Sequence, residues 1–383
     1  MRIALVVTGG VDQSARERVV PALLWLVERL ARRHDVHVFA LHYHRSPRSY
    51  PLLGATVHDL GRVDGPPGFR RMRVTSRLRR AVAAHGPFDV LHAYWGMPAS
   101  VATRVGRLLR TPLVATFDSG ELVAIDDIGY GLQRRRFDRR AVARALRHAD
   151  RVTVCTAYAA AMPALGNRSV EVVPIGVDPA RFPLTPRADG PPWRLLRVAS
   201  LNHVKDYPML LHAMTSIVRM LPDTHLDIVG EDTLHGAVQA QSRALGLDRH
   251  VMFHGFQPTD ALAGFYARAH VHVMSSRHEA ASVAMLEAAC AGVPTVGTRV
   301  GYAADWATEG RAVAVPVGDA DALADATVAF LRNPSHREHV ASAARAWTLA
   351  HDADWTAAEF ERIYGELRGG WGPGAGGWKR RSG

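Results

Sequence analysis

Apolar and polar positions along this chain follow two periods that take turns from end to end. Short runs rich in Val, Ile and Leu are separated by stretches in which apolar residues recur every three or four positions. RIALVVT (residues 2–8) leads into a helical pattern over about Ala15–Arg33, and DVHVFAL (35–41) follows. FDVLHAY (88–94), a helical stretch over Ala99–Leu109 and TPLVATF (111–117) repeat the motif. A long basic helix is expected over Gln133–His148, ahead of RVTVC (151–155) and VEVVP (170–174). Strand, helix, strand in this order predicts an α/β fold with a parallel, doubly wound sheet.

Residues 176–192, GVDPARFPLTPRADGPP, break the rhythm: five prolines, Gly190 and few aliphatics mark a linker. The rhythm restarts with WRLLRVAS (193–200), a helix over Pro208–Leu221, HLDIVG (225–230), a helix near Leu234–Leu245, HVMFHGF (250–256), a helix near Thr259–Ala267 and VHVMSS (271–276). AVAVPV (312–317) and helices near Asp319–Arg332, Ser335–His351 and Trp355–Arg368 complete it. A chain of 383 residues is too long for one ordinary core, so two domains are expected. The divisions predicted are an N-terminal domain over 1–185, a second domain over 186–354, a C-terminal helix over 355–368 and a Gly-rich tail over 369–383 without structure. In such sheets ligands sit where strands feed into helices.

Composition narrows the class. Hydrophobic residues make up 48% and charged residues 22%, as in a soluble globular protein, and no apolar run approaches the roughly 20 residues that span a bilayer. MRIALVVTGG enters a strand-like run directly and does not read as a signal peptide. Cys155 and Cys290 sit in apolar surroundings far apart, as reduced core residues of a cytoplasmic protein and not a disulfide or metal pair.

The net charge of +11 is uneven: residues 1–190 carry 29 basic against 16 acidic side chains. Clusters lie at Arg70, Arg71, Arg73, Arg77, Arg79 and Arg80 and at Arg134, Arg135, Arg136, Arg139 and Arg140. They suit an anionic surface, such as the inner face of a membrane, unless the chain merely draws on arginine-rich codons and solvates them. Of the 47 basic residues only Lys205 and Lys379 are lysines, and Lys379 belongs to the tail. A compact ammonium suits a crowded phosphate pocket better than a flat guanidinium, which makes Lys205 a candidate.

The predicted strand ends supply the other candidates. Thr8-Gly9-Gly10 follows the first strand, without the G-x-G-x-x-G of a dinucleotide fingerprint. His92 and Asp118 lie near the ends of two further strands. In the second half Ser200 to Asp206, Gly230 with Glu231 and Asp232, and Gly255 occupy equivalent places. In SSRHEAASVAMLEAACAGVPTVG (275–297) a helix is expected over Ser282–Ala291, with Gly292 at its C-terminal end. Glu279 then precedes the helix, Glu287 lies in its second turn, and the backbone amides of Ala281, Ser282 and Val283 form an anion site.

Glu279 and Glu287 form an E-x7-E pair, and Glu287-Ala288-Ala289-Cys290-Ala291-Gly292-Val293-Pro294 continues it. With Ile175-Gly176-Val177-Asp178, Phe182, Val198-Ala199-Ser200-Leu201, Lys205 and Ile228-Val229-Gly230, the chain resembles the family 4 glycosyltransferases, most strongly over residues 194–318. The resemblance implies a GT-B fold: two Rossmann-like domains facing across a cleft, with the last helix returning to the first domain. It implies transfer of a sugar from a nucleotide-diphospho-sugar to an acceptor hydroxyl, with retention, no metal and no cofactor. Lys205 matches the lysine on the diphosphate, Glu287 the glutamate on the ribose hydroxyls and Glu279 the one near the donor sugar. Gly9 and Gly10 match the glycine loop near the phosphates and acceptor.

Three departures stand out. Ser200 occupies the place of an arginine that usually partners the lysine. Asp118 replaces a histidine and is expected to hydrogen-bond a sugar hydroxyl. Ala280-Ala281-Ser282 replaces a loop that is commonly rich in glycine. The expected partners are the nucleotide-sugar donor, a sugar, lipid-linked or other hydroxyl acceptor and an anionic membrane surface, with nucleic acid disfavoured. Two alternatives stand beside the transferase, a nucleotide-sugar 2-epimerase and a non-catalytic scaffold of the same fold.

Overall fold

Buried β-branched runs and amphipathic helices assemble, in the computed structural model, into two units, Met1–Ile175 with Ala353–Gly383 and Gly176–Asp352. The structure describes residues 1–374 and 377–380.

The strands of unit 1 are β1 (Arg2–Val7), β2 (Asp35–Ala40), β3 (Arg48–Leu52), β4 (Ala55–Asp59), β5 (Val90–Tyr94), β6 (Leu113–Phe117), β7 (Arg151–Val154) and β8 (Glu171–Val172). They lie in the order β3-β4-β2-β1-β5-β6-β7-β8, all parallel except β3, which turns back on β4. Its helices are α1 (Pro21–Ala31), α2 (Pro67–His85), α3 (Gly96–Leu109), α4 (Arg136–His148) and the short α5 (Ala157–Ala160). Alternation along β1 builds two cores: Ala4 and Val6 meet α2, α3 and α4, while Ile3, Leu5 and Val7 meet α1.

Unit 2 carries β9 (Trp193–Val198), α6 (Tyr207–Met220), β10 (Thr224–Val229), α7 (Ala237–Ala244), β11 (Val251–Phe253), α8 (Thr259–Arg268), β12 (Val271–Met274) and α9 (Val283–Cys290). It continues with β13 (Thr295–Thr298), α10 (Tyr302–Ala307), β14 (Val313–Val315), α11 (Ala320–Leu331) and α12 (Pro334–Ala350). Its six strands run parallel in the order β11-β10-β9-β12-β13-β14. The last helix, α13 (Ala353–Gly370), belongs to unit 1. Ala357, Phe360, Ile363, Tyr364 and Leu367 bury themselves against the α1 face of that sheet.

Several expectations need correction. Residues 11–20 are a loop and not the start of α1: Asp12 accepts from the Ser14 amide and from Arg18, and Ala15 and Arg18 adopt φ of 54° and 51°. Three elements between residues 48 and 85 escaped the sequence pattern. β3 is a polar edge strand that tolerates Pro51, and α2 shows only a narrow apolar stripe, Val74, Leu78 and Val82, among its arginines. The Pro-rich segment is not a free linker. Phe182 is buried edge-on against Tyr266 at 5.7 Å, and Arg187 donates to the carbonyls of Gly292 and Ala291 at 2.7 and 2.8 Å, capping the end of α9. These contacts place the boundary at Ile175/Gly176. In the tail, Trp371–Gly374 (β15) pairs antiparallel with Gly377–Arg380 (β16), since backbone pairing needs none of the Val, Ile or Leu residues that its composition lacks. Residues 375–376 and 381–383 of the predicted unstructured tail lie outside the described residues.

Candidate functional site

Parallel strands β9 and β12 are neighbours, so the loops that leave their C-terminal ends are neighbours too. The loop after β9 turns through a 3₁₀ segment, His203–Lys205, and Asp206, at φ 49°, caps α6 by accepting from the Met209 amide. The loop after β12 is tied to it: Ser275 donates to the Lys205 carbonyl at 2.7 Å and the Arg277 amide to that of Val204 at 2.8 Å. Lys205 Nζ consequently meets Glu279 Oε1 at 2.6 Å, and Ser276 donates to the same oxygen at 2.7 Å. Burial alone would raise the Glu279 carboxyl. The charges of Lys205 and Arg197 and the hydrogen bonds outweigh it and hold the carboxyl below its ordinary range, as an anion.

Sequence reasoning missed Arg197. It lies within β9, 1% exposed, donates to Ser276 at 2.7 Å and approaches Glu279 Oε1 to 3.9 Å. The signal was present, because a cation inside an otherwise apolar parallel strand (WRLLRV) needs a buried partner. Ser200, where an arginine was expected, only accepts a hydrogen bond from Asn202 at 2.9 Å. The second cation near Glu279 therefore sits behind it, inside the sheet.

Helix α9 begins one residue later than expected, at Val283, and Ser282 stands before it at φ 108° without a side-chain capping bond. The first amides of a helix have no intrahelical partner, so Ala281, Ser282 and Val283 stand at the positive end of α9. Glu287 faces inward from α9, 3% exposed, and accepts from the Tyr266 hydroxyl at 2.8 Å. Burial pushes its carboxyl up to about 7, against a smaller lowering by that hydrogen bond. Gly230 adopts φ 158°, and any Cβ there would stand 2.0 Å from the Ala199 carbonyl oxygen, so only glycine lets the ends of β10 and β9 approach. The Gly255 carbonyl accepts from the Gly230 amide at 2.9 Å. Lys205, Glu279 and Ser200 thus gather at one edge of the sheet in unit 2, with Gly230 and Gly255 on adjoining strand ends.

Within unit 1 the candidates separate. Gly9 and Gly10 form a tight loop closed by Tyr43 and Val20, whose amide donates to the Gly10 carbonyl at 3.0 Å. His92 does not reach the rim, because β5 runs on to Tyr94 and leaves it in mid-strand at 0% exposure. Its Nδ1 meets the Tyr364 hydroxyl of α13 at 2.5 Å and its Nε2 meets Thr116 at 2.7 Å. Burial pushes the imidazole down to about 3, so it is neutral. Asp118 does stand at a strand end. Burial, then the neighbouring Glu121 carboxylate, holds its carboxyl well above the usual range, and among the described residues its Oδ1 has no hydrogen-bond partner.

Comparison with known proteins settles the family. The family described as "Glycosyl transferases group 1" matches residues 185–347, and "Glycosyl transferase 4-like domain" matches residues 19–178. The chain belongs to the family 4 glycosyltransferases. This glycosyltransferase is 29% identical over 301 residues to a GDP-mannose-dependent alpha-(1-6)-phosphatidylinositol monomannoside mannosyltransferase of Mycolicibacterium smegmatis, covering 72% of this chain and 75% of that one. It is 29% identical over 308 residues to the phosphatidyl-myo-inositol mannosyltransferase of Mycobacterium tuberculosis, covering 77% and 78%. Among solved structures, a sucrose-phosphate synthase of Thermosynechococcus elongatus superposes with a TM-score of 0.82 at 20% identity over 96% and 99% of the two chains. HepE of Anabaena in complex with UDP-glucose superposes with a TM-score of 0.72 at 17% identity over 96% and 100%. These likenesses bear out the GT-B fold class of the glycosyltransferase.

Proposed function

We propose that this glycosyltransferase moves a hexosyl group from a nucleotide-diphospho-sugar to an acceptor hydroxyl, with retention of anomeric configuration and without a metal. The observation that carries the reading is the Lys205–Glu279 pair beside the N-terminus of α9. When the anomeric C–O bond breaks, negative charge grows on the departing diphosphate. An ammonium and helix amides fixed in advance lower that state more than the ground state, which is what catalysis requires. Glu279, kept ionised by Lys205 and Arg197, faces the donor sugar, and Glu287 accepts from the ribose hydroxyls. The departing phosphate oxygen takes the proton of the incoming hydroxyl on the same face. The Lys205 ammonium and the α9 amides at the diphosphate end do the work a divalent ion does elsewhere, which supports metal independence.

An acceptor linked to an anionic lipid suits unit 1. The names of the two mycobacterial relatives point the same way. A cavity of about 820 Å³ there is lined by Leu41, Val63, Val74, Met97 and Val101, with Arg62, Arg70 and Arg71 beside them. The exposed arginines of α2 and α4 give it a basic surround suited to peripheral contact with an anionic membrane. No helix among the described residues is long and apolar enough to cross one.

The test is sugar transfer, or donor hydrolysis, by wild type, Lys205→Ala and Glu287→Ala. Loss of the ammonium should lower kcat roughly 10²–10³-fold, the usual effect of removing one preorganised group at a developing charge. Unchanged rates in both variants would sink the assignment. A product whose only change is at C2 of the donor sugar, formed without acceptor, would identify an epimerase instead.

A further inference from the structure

Three histidines with no part in the site above converge on one face of the sheet in unit 1. His37 stands in β2, His58 in β4, and His85 is the last residue of α2, whose stripe Val74, Leu78 and Val82 lays the helix on that face. One ring nitrogen from each lies within 4.8 Å of the others. The His58 and His85 rings stack at 4.0 Å between centroids, and those of His37 and His58 at 5.1 Å. His37 Nδ1 and His58 Nε2 are 2.8 Å apart. The outward nitrogens are held: His37 Nε2 lies 3.2 Å from Asp35 Oδ1, and His58 Nδ1 lies 3.0 Å from Ser49 Oγ. Phe39 and Phe88 wall the cluster, with Phe88 edge-on to His37 at 5.2 Å.

We propose that His37, His58 and His85 form a three-imidazole binding site for a divalent transition-metal cation, zinc. A tetrahedral ion about 2.0–2.1 Å from each nitrogen needs ligand atoms about 3.3 Å apart, so the His37–His58 contact opens by about half an ångström and His85 swings inward. No proton is lost. The ion replaces the hydrogen that His58 Nε2 shares with His37 Nδ1, and His58 takes its ring proton on Nδ1, facing Ser49. His37 keeps its proton on Nε2, facing Asp35. Outward N–H groups held by a carboxylate and a hydroxyl are the orienting contacts that metal-binding imidazoles use. An all-imidazole donor set selects zinc, copper or nickel over magnesium or calcium. Exposed His85 gives the entry path and leaves the fourth position to water. Occupancy would pin the end of α2 to β2 and β4.

The experiment uses the full chain, freed of any purification tag and stripped with a chelator, and zinc alone as probe. One zinc per chain should survive gel filtration, and Tm should rise with zinc but not with magnesium. His85→Ala alters only an exposed ligand, so it should fold as wild type does in chelator yet bind zinc at least tenfold more weakly. His339→Ala, at an exposed histidine of unit 2, should bind zinc as wild type does. The proposal is overturned if no zinc is retained, if His85→Ala binds as tightly as wild type, or if His339→Ala loses as much as His85→Ala.

Discussion

Replacing Glu287 by glutamine should remove one pH-dependent loss of stability without changing the shape of the site. The carboxyl rises from an ordinary 4.5 to about 7 because α9 buries it, with one hydroxyl, that of Tyr266, as a hydrogen-bond partner. An acid whose folded value is raised contributes fully below the unfolded value, and that contribution is lost as pH climbs through the folded value. Between pH 4.5 and 8 the wild type should lose about 3 kcal/mol that glutamine, with nothing to ionise, keeps. The measurement is urea unfolding of both proteins across that range, read as a difference so that other titrating groups cancel. Donor binding provides a second arm. Ribose hydroxyls donating to the carboxylate would lower its value, so binding should tighten from pH 6 to 8 and release a proton, as calorimetry in buffers of different ionisation enthalpy reads. A stability difference flat to within about 0.5 kcal/mol over the pH range would refute the burial argument.

Two further outcomes are expected. Ser282→Gly should raise stability by about 1 kcal/mol, since φ 108° strains any residue with a Cβ, and thermal melting should show an increase of roughly 2–4 °C. Tyr364→Phe removes the hydroxyl on His92 Nδ1 and leaves a buried ring nitrogen unpaired, which should cost about 1–3 kcal/mol in urea unfolding, and an unchanged midpoint would count against an anchoring bond.

Much of the candidate site in unit 2 was legible because its residues are unusual in kind or spacing. Lys205 stood out in a chain that writes its cations as arginine, and E-x7-E separates one acid before a helix from another in its second turn. Arg197 was not legible from strand ends because it lies inside β9, where burial leaves it facing Ser276 and Glu279. His92 was misplaced for the complementary reason: it stands two residues before the end of β5, in the core, where Thr116 of β6 and Tyr364 of α13 take its ring nitrogens. The rhythm of sheets and helices was readable wherever strands were apolar on both faces. It failed over residues 48–85, where an edge strand and an arginine-rich helix bury a single narrow stripe.

The return of α13 has a consequence for biosynthesis. Residues 353–370 leave the ribosome only after the whole of unit 2, yet they complete a core begun by residues 2–7. The first sheet must therefore wait, with Ile3, Leu5 and Val7 incompletely covered, while the whole of Gly176–Asp352 is synthesised and free to fold. A chain cut short before residue 353 would then injure the beginning of the protein, and a chaperone would be needed longest by the part made first.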